Sequence, residues 1–515
     1  MLSISELESA KEKLRAFMDK FVSKSGASYA DCRIEVDEGK AALAQNGNAK
    51  SAFEDSSASV GIRVYVSRNG FLAGGMAGTV LGEKQLSEID KVLLRLSEVS
   101  LKRAKANALQ KAKTRKMFAR LGMGINPKAF AETEIHVDTV RPEFDRNPLD
   151  CDLNELVKRC GRASKGVAKT RGIASNFVSA GTGIERKVFA STEGSLIDQS
   201  KAFTQFFVFL TAKGKSMESY YSIAGANNGT EGFDGKNDKK RGIEDYSEFI
   251  AKGTVELSNA PVAKQSGEVK VVLDPAFNTL LSHEIMGHPC EADRALKKEA
   301  AWAGRSWWFR GLKDNLLGKK VGSEQLTLVS DPAMEGYGNY KYDDEGVKAK
   351  KVYNIKDGIL NEFLNSRETA AILGREPNGG MRASSAMDMP IIRMNNTCIA
   401  SGEWDSEEII SDTRNGYYVV GEKIPSIGET RQNFTITCWK LYEIRNGEIG
   451  RLYRNGGITA DSPEFLKSID AVGKDFHCYN VPNCGKGTPM QTMRVGNGGP
   501  TIRARARISS AAFGK

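Results

Sequence analysis

At 515 residues the chain exceeds what one hydrophobic core supports and should fold as two or more domains. Hydrophobic residues at 40% and charged residues at 27% mark a globular protein, and the longest strongly apolar run, 206–210, is far too short to cross a bilayer. The net charge of +10 invites an anionic partner, but the excess is spread along the chain, and no zinc-finger, RNP or P-loop signature accompanies it.

The N-terminus, "MLSISELESAKEKL", mixes acids and bases and has no signal-peptide core, so the expected setting is the cytoplasm, with no membrane attachment. The eight cysteines include no C-x-x-C pair and do not read as a disulfide framework. Ser3 and Glu6 have capping-box spacing, and Ile4, Leu7, Ala10, Leu14, Phe17 and Phe21 recur at helical intervals up to Gly26. "ADCRIEV" and "SVGIRVYV" alternate as strands, the second followed by a turn at Asn69-Gly70. A helical stretch at 83–120 carries the densest basic run, 101–116, read as a solvated face. A second amphipathic helix, 152–168, precedes the strand-like runs "KVFAST" and "FTQFFVFLTAK".

Residues 224–242, rich in Gly, Asn and charge, read as a long exposed loop. A helix near 243–257 leads into "SNAPVAKQSGE", which places a domain boundary at 258 and gives domains 1–257 and 258–515. Beyond it, strand signals dominate, with hairpins at Asp357-Gly358 and Asn446-Gly447. The fold class expected is α+β: a mixed α/β N-terminal domain and a sheet-rich, mainly antiparallel C-terminal domain.

The stretch "LLSHEIMGHPCEADRAL", 280–296, holds two of the four histidines, His283 and His288, with Glu284 directly after the first. Asp274-Pro275 after the strand "EVKVVL" is a helix start. On a straight helix, positions five apart point about 140° away from each other, so two such imidazoles could not share an ion. A left-handed Gly287 could end the helix there, with Pro289 disfavouring a helical His288. A wider turn containing one extra residue would serve equally. The bland reading is a pair of helix-end histidines satisfied by backbone carbonyls. The chemical one is a catalytic zinc site, with Glu284 as general base. Cys290, Glu291 and Asp293 nearby, and His477, Cys478 and Cys484 far downstream, are all candidate third ligands, and spacing does not choose among them.

"HEIMGHPCEADRAL", "DDEGVKAKKVYNIKDGIL" and "NCGKGTPMQTMRVGNGGPTIRARARI" together resemble the TldD/PmbA family of metallopeptidases, also labelled modulators of DNA gyrase. The resemblance is strongest from about residue 268 onward and extends more weakly through the N-terminal strands. It implies a TldD-like subunit that retains H-E-x-x-x-H, whereas the PmbA (TldE) type has lost it. It further implies His283, His288 and Cys484 as zinc ligands, Glu284 as base, and a dimer, commonly of the two subunit types, that admits unfolded peptides. Pro289-Cys290 and the spacing of "CGKGTPMQ" depart from the family pattern. The expected function is zinc-dependent hydrolysis of flexible peptides bound in extended form at a strand edge. A metal-dependent amidohydrolase of other amides and a nucleic-acid- or topoisomerase-binding modulator are the alternatives. Tyrosines, arginines, His477 and Lys486 are all conceivable electrophiles for the oxyanion.

Overall fold

In the first half, strictly alternating segments pair into one large sheet. A computed structural model describes residues 4, 7–68, 71–120, 130–299, 304–311 and 314–510. The capping box at Ser3–Glu6 and the turn at Asn69-Gly70 lie outside the described residues. Helix α1 (Leu7–Ser25) ends at Gly26 in the left-handed conformation, as its spacing predicts. Strands β1 (Tyr29–Gln45) and β2 (Asn48–Arg68) form a long hairpin through Asn46-Gly47, both at positive φ. β3 (Phe71–Val80), β4 (Val137–Val140), β5 (Ile173–Ser191), β6 (Leu196–Lys213) and β7 (Met217–Ala226) complete a seven-stranded sheet. β1 and β2 run well past the predicted strands, because hairpin pairing carries their polar ends beyond the apolar alternation.

Helices α2 (Ile89–Arg120), α3 (Leu153–Lys169) and α4 (Ile243–Asn259) join α1 against the sheet. They cover the face that carries Cys32, Ile34, Val60, Ile62 and Val208. The basic run on α2 keeps Lys102, Arg103 and Lys105 exposed. No helix among the described residues is long and apolar enough to cross a membrane.

The opposite face bears Asp31, Arg33, Arg63 and Lys187. Alternation alone would leave it in water, yet it is covered by the "DDEG" segment at 343–346. Arg63 bridges Asp31 at 2.6 Å and Glu345 at 2.8 Å, all three buried. Asp344 takes Lys187 at 2.9 Å and lies 3.9 Å from Arg33. The loop at 224–242 is likewise not exposed as expected: Glu231, Phe233 and Asp238 are buried, and Asp238 accepts the N–H groups of Gly225 and Asn480. Its polar residues turn inward because they satisfy backbone donors there.

The second half is sheet-rich. Strands β8 (Glu268–Leu273), β9 (Leu328–Ser330), β10 (Val352–Lys356), β11 (Asn396–Ile399), β12 (Gly416–Ile427), β13 (Asn433–Arg445), β14 (Gly456–Asp461), β15 (His477–Lys486), β16 (Gln491–Gly499) and β17 (Ile502–Ser510) supply its frame. β12, β8, β17, β14 and β13 pair in that order, and β13 returns to β12, so five strands close on themselves. A six-stranded sheet runs from Ile359–Leu360 through β10, β9, β11 and β16 to β15 at its edge. The pairings are antiparallel except β12–β8 and β11–β16. Both predicted hairpins are present, Asp357-Gly358 and Asn446-Gly447 at positive φ.

Burial raises the Asp344 carboxyl, but Lys187 and Arg33 outweigh it and hold it at about 2. A carboxylate depressed from an unfolded value near 4 contributes roughly 2 kcal/mol above that pH and loses it as pH falls towards the folded value. Asp344→Asn should therefore unfold more easily at neutral pH, and its deficit should shrink between about pH 4 and pH 2. Denaturant titrations across that window measure the gap; a gap that stays constant would remove Asp344 as its source.

Candidate metal centre

After β8, Asp274 turns the chain: its Oδ1 accepts the N–H of Phe277 at 2.7 Å and that of Gly421 at 2.9 Å. Asn278–Leu280 begin as α-helix, but Leu281–Gly287 form one widened turn, in which the His288 N–H donates to the His283 carbonyl five residues back. The left-handed break expected at Gly287 is absent. Gly287 has φ −66° and ψ −55°, and His288, despite the following proline, has φ −60° and ψ −39°. The extra residue in the turn brings position 288 round to the face of 283, so no break is needed. Glycine is required at 287 for space instead: a Cβ there would lie 2.2 Å from Met394 Sδ.

The two imidazoles meet edge to face, their centroids 4.7 Å apart. Cys484 Sγ lies 3.7 Å from His288 Nε2, and the ligand atoms of His283, His288 and Cys484 all fall within 4.8 Å of one another. This is the one such cluster of three among the described residues. Cys484 reaches it from β15, whose register against β16 shifts between Val481 and Cys484, beside Pro482. Such a bulge re-aims a side chain, and an edge strand tolerates the proline.

Each histidine is oriented from behind. The His283 Nδ1–H donates to Asn497 Oδ1 at 2.8 Å, and His288 Nδ1 pairs with Glu291 Oε2 at 3.0 Å, which leaves both Nε2 atoms for the cluster. Glu291 Oε2 also receives Arg294 Nε at 2.7 Å and Lys486 Nζ at 3.1 Å. Burial raises the Cys484 thiol, but His283, Arg393 and His288 together hold it well below its ordinary value, which favours the thiolate a metal binds. Two imidazoles and a thiolate fit a zinc-type ion. Burial likewise raises Glu284, and Arg431, His283 and His288 bring it down to about 2. Glu284 lies with the cluster on the wall of a cavity of about 520 Å³.

The other candidate ligands are elsewhere. Cys290 is buried in the hydrophobic core, its thiol raised by burial and then by Glu291. Glu291 is tied to His288 and Asp293 to Lys486. His477 Nε2 bonds the Asp238 carbonyl, and Cys478 stands outside the cluster. Lys486 is fully buried behind His288, between Glu291, Asp293 and the Ile392 carbonyl, so its ammonium is not turned to the cavity.

Residues 266–510 match the family model described as the PmbA/TldA metallopeptidase C-terminal domain. A metalloprotease of Methanothermobacter thermautotrophicus is 32% identical over 72% of this chain and 77% of its own length. The chain belongs to the TldD/PmbA metallopeptidase family. A second relative, a metalloprotease of Methanocaldococcus jannaschii, is 28% identical over 93% of this chain and 97% of its own. A zinc metalloprotease TldD homolog of Saccharolobus solfataricus is 34% identical over 47% of this chain and 51% of its own. The family fold is also that of a modulator-of-gyrase protein from Thermotoga maritima, with TM-score 0.71, 17% identity and coverage of 98% of this chain and 100% of that one. TldE from Thermococcus kodakarensis superposes with TM-score 0.69, 17% identity and the same coverage.

Sequence reasoning did not find Asn497 or Arg431, because they lie 214 and 147 residues from their partners and carry no local motif. The lysine of "CGK", one of the conceivable oxyanion electrophiles, instead ties Glu291 and Asp293 behind the site. Gly287→Ala should force Met394 or the widened turn to move, costing about 1–3 kcal/mol as overpacking does. Denaturant unfolding measures this loss, and the double variant Gly287→Ala/Met394→Ala should recover part of it; equal stability of Gly287→Ala and the parent would refute the packing role.

Proposed function

We propose that the chain is a zinc-dependent peptidase acting on flexible or unfolded peptides bound in extended form. The observation that carries this reading is the convergence of His283, His288 and Cys484 beside Glu284 on one cavity wall. Held by two imidazoles and a thiolate, zinc supplies Lewis acidity that polarises a carbonyl and brings the pKa of water towards neutrality. Asn497 and Glu291 fix the two imidazoles so that Nε2 faces inward. With Oε2 of Glu284 engaged by Arg431, Oε1 takes the proton from the attacking water and returns it to the leaving amine.

The cavity is bordered by three strand edges: β7 at Tyr221–Ile223, β12 from Glu422 to Ile427, and β15 at 481–485. Among the described residues, β12 beyond Val419 pairs only with β13, and β15 pairs only with β16. Strand edges bordering the cavity support strand addition by an extended peptide, a mode that reads backbone more than side chains.

The same proposal places the chain in the cytoplasm, where its eight unpaired thiols are at home. It divides the chain near residue 258 into an N-terminal platform and a domain carrying the site, and it pairs the chain with a motif-lacking, TldE-like partner. The family resemblance supports that pairing.

Elemental analysis of the purified protein should find near-stoichiometric zinc, lost in both His288→Ala and Cys484→Ala. Glu284→Gln should keep its metal yet cleave an unstructured peptide about 10²–10⁴-fold more slowly. Zinc retained by Cys484→Ala, or parental cleavage by Glu284→Gln, would sink the assignment.

A further inference from the structure

The widened turn has a chemical consequence at Glu284. In its five-residue pattern the Glu284 carbonyl should be met by residue 289, but Pro289 has no N–H. The N–H of His288 is already spent on His283. Arg431 fills the place. Its Nη1 donates to the Glu284 carbonyl at 2.8 Å, and the same nitrogen forms a close ion pair with Glu284 Oε2.

Arg431 arrives from the turn between β12 and β13, and its side chain is only 3% exposed. Its backbone has φ +63°, the left-handed region, where a non-glycine residue costs about 1–3 kcal/mol. The conformation is pinned from both sides. The Arg431 N–H donates to the Gly428 carbonyl at 2.8 Å, and its own carbonyl accepts the Ser462 hydroxyl at 2.7 Å. The chain therefore holds a strained, buried arginine in a fixed turn, with its guanidinium on the backbone and the carboxylate of one residue. A flexible surface ion pair would need none of this.

We infer that Arg431 is the positioning residue for Glu284: it satisfies the carbonyl that Pro289 leaves without a partner and, from that anchor, fixes the carboxylate at the cavity wall. The inference rests on the peptidase reading; Arg431 also borders the cavity, and the role assigned to it acts through Glu284. Lysine at 431 would supply a point charge without the guanidinium geometry. The two imidazoles have their own supports in Asn497 and Glu291, so loss of the guanidinium should leave them in place.

The test compares the parent with Arg431→Gly and Arg431→Lys, each assayed for zinc content and for cleavage of an unstructured fluorogenic peptide. Glycine accepts the left-handed φ without strain, so Arg431→Gly should fold. Its kcat should fall about 100-fold, the scale of a misplaced catalytic group, while KM and zinc content stay near the parent's. Guanidinium chloride at a non-denaturing concentration should restore part of the lost kcat in Arg431→Gly and none in the parent, and Arg431→Lys should fall between the two. A parental kcat in Arg431→Gly would overturn the inference and leave the peptidase reading standing. Zinc lost along with activity would overturn it too, by showing that Arg431 builds the metal site. A parent that cleaves no peptide would remove both readings.

Discussion

One residue too many in a single helical turn governs the centre of this protein. With an ordinary helix, His283 and His288 would face about 140° apart, and no ion could touch both. With the widened turn, they share a wall while Leu281, Ile285 and Met286 stay in the core. The widening goes with Asp274 at the start, a glycine pressed on Met394 and a proline that cannot continue the ladder, and the carbonyl the proline abandons is answered by an arginine from outside the turn. Wide turns of this kind are rare and concentrate at functional sites.

Around the three ligand candidates lies a second ring of buried charge centred on Glu291. Its single Oε2 takes His288, Arg294 and Lys486. A buried carboxylate is tolerable only when paired in this way. The arrangement links Cys484 to the histidine turn through the chain as well as through space. Lys486, two residues after Cys484, grips Glu291 and Asp293, three and five residues after His288. Strand β15 and the helical segment, about two hundred residues apart, are thereby locked in one register.

The same use of buried pairs joins the two halves of the molecule. The first sheet gives its apolar face to the helices and a charged face to the 343–345 segment, where Asp344 and Glu345 meet Lys187 and Arg63. Breaking one member of such a buried pair strands its partner, so the junction is specific about what may sit there. The loop at 224–242 follows suit, folding Asp238 inward to cover the upper part of β15 and leaving the stretch beside Cys484 open to the cavity.

Much of this was legible along the chain. Alternation marked the strands, Asn-Gly and Asp-Gly marked the hairpins, and the histidine spacing together with "CGK" marked the site, because each is a local pattern tied to backbone geometry. The choice of a widened turn over a left-handed break was not legible, since Gly287 suits either; nor was the reason for glycine there, since it is Met394, more than a hundred residues away, that occupies the space a side chain would need. Spacing alone could not choose among the cysteines, for which the family resemblance was needed, nor could the sequence say that Lys486 stands behind the site or that Arg431 holds Glu284. Those are decided by strand register and by pairings between distant segments, and in such contacts the energy depends on who is adjacent in space rather than on any spacing along the chain.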